Sequence, residues 1–179
     1  LAAAALALAH GVEPTHVRDG LRAYRSGAHR LTDAGRHEGV AFVDDSKATN
    51  THAAEAALRS FGPRTVVWIA GGLAKGAEFD DLVERCADRL RAVVLIGVDR
   101  DPLRRALERH AAAIPVFEVD ADDTEGVMTR AVVAARRFAV EGDTVLLAPA
   151  CASMDQFVSY ADRGDQFTAA VRRVTGPAD

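Results

Sequence analysis

Apolar positions along this chain change period once, at about residue 40. Before it they recur at helical spacing. Residues 1–9 are almost wholly Ala and Leu, and Gly11 is a stop signal. Pro14 then opens a second stretch, with Val17, Leu21 and Tyr24 on one stripe and Gly27 ending it. From residue 40 onward, short continuous apolar runs alternate with helical patterns. The runs predict strands near 40–44, 65–70, 92–97, 115–119 and 143–148. Helices are predicted near 51–60, 79–90, 102–111, 124–140 and 165–174. Asp101-Pro102 reads as a helix start, with the acid capping and the proline in the first turn. Met128, Ala131, Val132, Ala135 and Phe138 form a helical apolar stripe that suits a core. The tail "TGPAD" is expected to fray.

Strand–helix alternation implies an α/β fold with a doubly wound, mainly parallel sheet covered on both faces. We assign that domain to residues 29–179. Residues 1–28 read as a helical remnant of an upstream domain, because "LAAAALALAH" lacks the basic flank of a signal peptide and looks like a helix cut from something longer. In such a sheet, ligands sit outside the carboxyl ends of the strands. Three loops there are chemically loaded: "DDSKATN" (44–50), "GGLAKG" (71–76) and "PACASMDQF" (149–157). "GVDRD" and "DADD" read as solvated turns and helix caps. Three segments far apart in sequence should therefore meet on one edge.

Composition adds exclusions. The net charge of −4 over 179 residues gives no broad basic field, which argues against nucleic acid as a partner. No stretch approaches the ~20 apolar residues of a membrane span. Cys86 and Cys151 fit neither a zinc pattern nor a disulfide framework, which points to a reducing, cytoplasmic compartment. Of the 22 basic residues only Lys47 and Lys75 are lysine, and both stand in loops that follow apolar strands. An ammonium is a compact point charge where guanidinium is a planar fork, so this placement favours a binding role.

"DDSKATN" offers two carboxylates, two hydroxyls and one ammonium ahead of a helix start at Asn50 or Thr51. It reads either as an anion site at a helix N-terminus or as an elaborate cap. "GGLAKG" permits close backbone approach, but the phosphate-loop pattern G-x-x-x-x-G-K-[ST] is absent from the chain. Cys151 has no suggestively placed histidine and suits a small buried thiol better than a nucleophile. Ser153 reads as a hydrogen-bond donor at a helix start. His29-Arg30 suits a nucleotide phosphate or ribose, and equally an interdomain salt bridge.

In this order and spacing, "HR" (29–30), "DDSKATN", "GGLAKG", "LLAPACASMDQF" (146–157) and "YADRGDQF" (160–167) resemble one family. It is the C-terminal domain of the D-glutamate-adding Mur ligases, which act on UDP-N-acetylmuramoyl-L-alanine in peptidoglycan synthesis. The opening helices resemble the end of that family's central ATPase domain. The resemblance implies an ATP-dependent amide ligase. ATP would phosphorylate the acceptor carboxylate, the D-glutamate amine would displace phosphate from the acyl phosphate, and Mg2+ would bridge the phosphates. It further implies that Lys47, Thr49, Lys75 and Ser153 hold the D-glutamate carboxylates, that Met154 and Tyr160 line the pocket, and that Arg30 and Asp45, with His29 nearby, reach the nucleotide. No metal ligand is assigned to this stretch, and a monomer is expected. Three positions depart from the family pattern: Thr32 and Ala74 stand where an acid is usual, and Met154 where leucine is common. The missing phosphate loop implies that this stretch is inactive alone. The alternatives are a stand-alone α/β module binding an amino acid or nucleotide, and a sibling amide ligase with another acceptor.

Overall fold

The computed structural model describes residues 2–24, 27–120 and 126–176. It opens with two helices, α1 (Ala2–Ala9) and α2 (Pro14–Ala23), which pack on each other and bury none of their own residues. Helix α2 stops at Ala23, short of Gly27, because Tyr24 is already extended.

Six strands follow: β1 (Thr32–His37), β2 (Val40–Asp44), β3 (Val66–Gly71), β4 (Leu90–Ile96), β5 (Val116–Glu118) and β6 (Thr144–Leu147). They form one sheet in the order β1-β2-β6-β3-β4-β5. All neighbours are parallel except β1, which runs antiparallel to β2. The doubly wound, mainly parallel expectation therefore holds.

The parallel strands read as continuous apolar runs because both of their faces are buried. Successive residues of β3 alternate between two cores. Trp68 and Ala70 join Val93, Leu95 and Leu146 under α3 (Thr51–Leu58), α4 (Asp80–Cys86) and α5 (Asp101–His110). Val67 and Ile69 join Val94, Ile96, Val145 and Leu147 under α6 (Val127–Phe138) and α7 (Tyr160–Thr175). The buried Trp68 indole donates to the Ala148 carbonyl at 2.7 Å, so its polar atom is not left unpaired. The stripe Met128, Ala131, Val132 and Ala135 is buried in the second core, with Phe138 packed against it.

Three readings need correction. Strand β1, "TDAGRH", has no apolar alternation and is invisible to periodicity. It forms because Glu38 and Gly39, both at positive φ (46° and 75°), reverse the chain tightly onto β2. Helix α7 begins at Tyr160, five residues before the predicted start, because Ser159 caps it by accepting from the Asp162 N–H at 3.1 Å. Asp101 is the first residue of α5 and caps no backbone N–H. Its carboxylate instead takes the guanidinium groups of Arg104 and Arg105. Within "DADD", Ala121–Asp123 lie outside the described residues, as do the first residues of the helix predicted over 124–140 and Pro177–Asp179 of the tail.

Candidate functional site

Because β6 lies between β2 and β3, the loops that follow these three strands must be neighbours. Backbone hydrogen bonds stitch them together. Ala150 N donates to Ala48 O (2.9 Å), Gly71 N to Pro149 O (2.8 Å), and Leu73 and Ala152 exchange a reciprocal pair. The glycine loop can approach this closely because Gly72 has no Cβ, which would otherwise collide with the Ala152 carbonyl. The fourth loop joins them too. Gly97 N donates to Gln156 Oε1 (2.7 Å) and Val98 N to Asp155 Oδ2 (3.0 Å). "GVDRD" is thus a docking edge for the third loop, not only a solvated turn.

Four of the six non-glycine residues at positive φ among the described residues fall in this region: His29, Leu31, Lys75 and Ala150. Such conformations cost of order 1–3 kcal/mol each and persist only where surrounding contacts fix them. The contacts here are specific. Lys47 N donates to His29 O (3.1 Å), Leu31 N to Asp45 Oδ1 (3.2 Å), and Ser46 N to Asp44 Oδ1 (2.8 Å). The His29 ring lies with Nδ1 2.6 Å from Asp44 Oδ2, and it meets the Tyr160 ring edge-on. Burial holds the Asp45 carboxyl above its usual range, against the opposing pull of the Leu31 N–H.

A cavity of about 700 Å³ opens beside these loops. Arg30, Asp45, Lys47, Thr49 and Tyr160 line it, together with Asn50 and the alanine face of α3. Asn50 caps α3 by accepting from Ala53 N at 2.9 Å, so the helix start is turned to the cavity with a cap in place. The Lys47 ammonium stands 5.1 Å from the centre of the Tyr160 ring. An anion entering here meets one ammonium, one guanidinium and a hydroxyl, with a carboxylate opposite.

Of the nine residues singled out from sequence, five line this cavity and His29 buttresses it from behind. Lys75, Ser153 and Met154 do not line it. Lys75 is exposed at φ 51°, two residues beyond the Leu73–Ala152 bridge. Ser153 follows that bridge directly and is buried in a turn, where its carbonyl accepts from Gln156 N and Phe157 N; it begins no helix. Met154 is 66 % exposed. Cys151 is buried, and desolvation pushes its thiol up to about 12, which keeps it protonated and inert as a nucleophile.

Sequence reading passed over Arg163. It is fully buried at the end of the first turn of α7. Its Nε donates to Ser46 Oγ (2.9 Å) and its two terminal nitrogens to Ser46 O (2.9 Å) and Cys151 O (3.2 Å each). Burial lowers its pKa to about 10, still well above neutrality, so the guanidinium stays charged. Next to it, Gly164 lets α7 lie against the first loop, since a Cβ there would collide with His29 Nδ1 and Asp44 Oδ2. The signal was present as "DRGDQF", but one arginine among 20 carries no mark of burial.

The family model described as "Mur ligase, glutamate ligase domain" matches residues 29–151. The chain belongs to this Mur ligase family. It is 62 % identical over 172 residues to the UDP-N-acetylmuramoylalanine–D-glutamate ligase of Streptomyces avermitilis, covering 96 % of this chain and 36 % of that protein. It is 53 % identical to the enzyme of the same name from Thermobifida fusca, covering 98 % of this chain and 37 % of that one. The chain thus spans a little over a third of the length of these relatives. Among solved structures, the Thermotoga maritima UDP-N-acetylmuramate-alanine ligase superposes with a TM-score of 0.58 at 15 % identity, over 95 % of this chain and 36 % of that one. A Mycobacterium tuberculosis folylpolyglutamate synthase does so with 0.55 at 18 %, over 92 % and 35 %. These two share the fold of the Mur ligase domain described here. Among the described residues no helix is long and apolar enough to cross a membrane.

Proposed function

We propose that this chain is the C-terminal, D-glutamate- and nucleotide-contacting part of a cytoplasmic, ATP-dependent ligase that adds D-glutamate to UDP-N-acetylmuramoyl-L-alanine. On this reading residues 1–28 are the last helices of a central ATPase domain, and residues 29–179 are the domain that closes over it. The exposed apolar surfaces of α1 and α2, Leu6 and Leu21 among them, are what a helix pair separated from its partner would present.

One observation carries the proposal: a cavity at the carboxyl edge of the sheet combines Lys47, Thr49 and Arg30 in a chain 62 % identical to a D-glutamate ligase. D-glutamate offers two carboxylates. Lys47 and Thr49 suit one of them, with Tyr160 as the apolar wall. Lys75 and Ser153, in adjacent loops, suit the other once the domain has closed, with Met154 covering them. Arg30 and Asp45 suit the nucleotide, the guanidinium toward phosphate and the carboxylate toward a sugar or amine donor, with His29 holding the Asp44 side of the loop. ATP would supply phosphoryl activation of the acceptor carboxylate. The residues of this chain contribute by fixing the incoming amine and excluding water, which lowers the entropic part of the barrier. Among the described residues no group of three or more His, Cys, Asp and Glu side chains could hold a metal ion, and we assign Mg2+ no ligand here.

The test is kinetic. In the full-length protein, Lys75→Ala should raise the D-glutamate KM by about tenfold or more while moving that for ATP little, as expected for loss of a charge-assisted contact of ~1.5–3 kcal/mol. An unchanged D-glutamate KM would overturn the assignment. Robust ATP turnover by the 179-residue chain alone would overturn its reading as an incomplete ligase.

A further inference from the structure

Of the two hydroxyl residues in "DDSKATN", Thr49 lines the cavity, whereas Ser46 is fully buried and does not line it. Every polar atom it has is engaged. Its N–H donates to Asp44 Oδ1 (2.8 Å) and its carbonyl accepts from Arg163 (2.9 Å). Its Oγ donates to the Tyr160 carbonyl at 2.7 Å and accepts from Arg163 Nε at 2.9 Å. A hydroxyl can do both at once, since it carries one proton and two lone pairs. Arg163 in turn grips Cys151 O, next to the loop that carries Ser153. One hydroxyl therefore joins three separate segments: the first loop, the start of α7, and through Arg163 the third loop.

We propose that Ser46 is a positioning residue that sets Lys47 against Tyr160 and so governs the amino-acid half of the site without touching its ligand; this rests on the D-glutamate reading of Lys47 given above. Lys47 is the next residue in the chain, and its ammonium lies 5.1 Å from the centre of the Tyr160 ring. The Ser46 hydroxyl pins the backbone of that same tyrosine from below. The nucleotide half is held differently. Leu31 N to Asp45, Lys47 N to His29 O and His29 to Asp44 are all bonds in which the Ser46 hydroxyl takes no part. Removing the hydroxyl should loosen one half and spare the other.

The experiment compares Ser46→Ala with Lys47→Ala in the full-length protein, measuring KM for D-glutamate and for ATP separately. Ser46→Ala should raise the D-glutamate KM about tenfold, equivalent to roughly 1.4 kcal/mol, and leave the ATP KM within about twofold. General loosening of the fold would raise both together, and that result overturns the inference, as does a D-glutamate KM that does not move. Should Ser46→Ala fail to fold, Ser46→Cys, which keeps a small side chain with a weaker donor, is held to the same split. The two failures are distinguishable. If Lys47→Ala raises the D-glutamate KM and the Ser46 variant does not, the positioning role falls and the ligand assignment stands. If only the Ser46 variant raises it, Lys47 loses its assigned role and its positioning by Ser46 falls with it.

Discussion

Two arginine-centred networks in this molecule have nearly opposite settings. At the carboxyl edge of the sheet, Arg163 is fully buried and ties α7 to two loops through the Ser46 carbonyl and hydroxyl and the Cys151 carbonyl. On the surface, Arg109 forms a bidentate pair with Asp80 (2.7 and 2.8 Å), and His110 adds a contact at 2.8 Å, tying α5 to α4. The surface pair has the better electrostatic partner, and it pulls the Asp80 carboxyl down to about 2. Yet solvent already stabilises both exposed charges, so bringing them together gains little. In the buried network no water replaces a lost partner, so each hydrogen bond counts at nearly its full desolvation cost. Geometry and burial, rather than formal charge, decide which arginine organises the fold.

That contrast can be broken at its strong end first. Arg163→Met keeps most of the volume but leaves Ser46 O, Ser46 Oγ and Cys151 O without their donor. A loss of about 2–3 kcal/mol in denaturant unfolding is expected. A midpoint equal to that of the parent chain would mean that the three loops hold each other without the arginine.

Asp45 lies between the two extremes. Burial raises its carboxyl pKa, so its ionised form is disfavoured in the folded state. A raised folded pKa contributes stability at low pH that is lost as pH rises through that value. Asp45→Asn still offers Leu31 N an acceptor. It should raise the melting temperature at neutral pH, with the gain shrinking as pH falls through the carboxylate range. On the nucleotide role proposed for Asp45, it should also weaken ATP binding in the full-length protein. A lower melting temperature at neutral pH would show that the ionised carboxylate is a net stabiliser.

The smallest effect belongs to the surface pair. Asp80→Asn should lower the melting temperature at neutral pH only slightly, because solvent already stabilises both exposed charges. The depressed Asp80 pKa has the opposite sign to that of Asp45. Its contribution is present above the unfolded carboxyl value and is lost as pH falls toward about 2, so parent and variant should converge in acid. A large gap at neutral pH would make α4–α5 a second organising centre.

Much of this was legible along the chain. Strand β2 was bounded correctly at 40–44 because an apolar run ends abruptly at two acids. The Asn50 cap of α3 was one of two candidates the loop offered. Other features were hidden for local reasons. Strand β1 is polar and rests on a hairpin turn, and it needs no hydrophobic face of its own because β2 and α7 cover it. Ser46 read as one more hydroxyl in a polar loop, and nothing in its neighbours marks it as the buried one. Thr49 and Lys47 were placed with Tyr160 through resemblance, whereas their shared cavity emerged from the fold.

By itself the sequence determined the elements and their alternation, since helical and strand periods are local properties that burial on one or two faces imposes on every few residues. It also put the chemically loaded loops at strand ends. Only the tertiary structure decided that β6 lies between β2 and β3, which makes three of those loops neighbours. It alone decided that Arg163 and Ser46, 117 positions apart, share a buried joint. Such pairings depend on strand order and on the desolvation of individual polar atoms, and neither leaves a periodic trace in the chain.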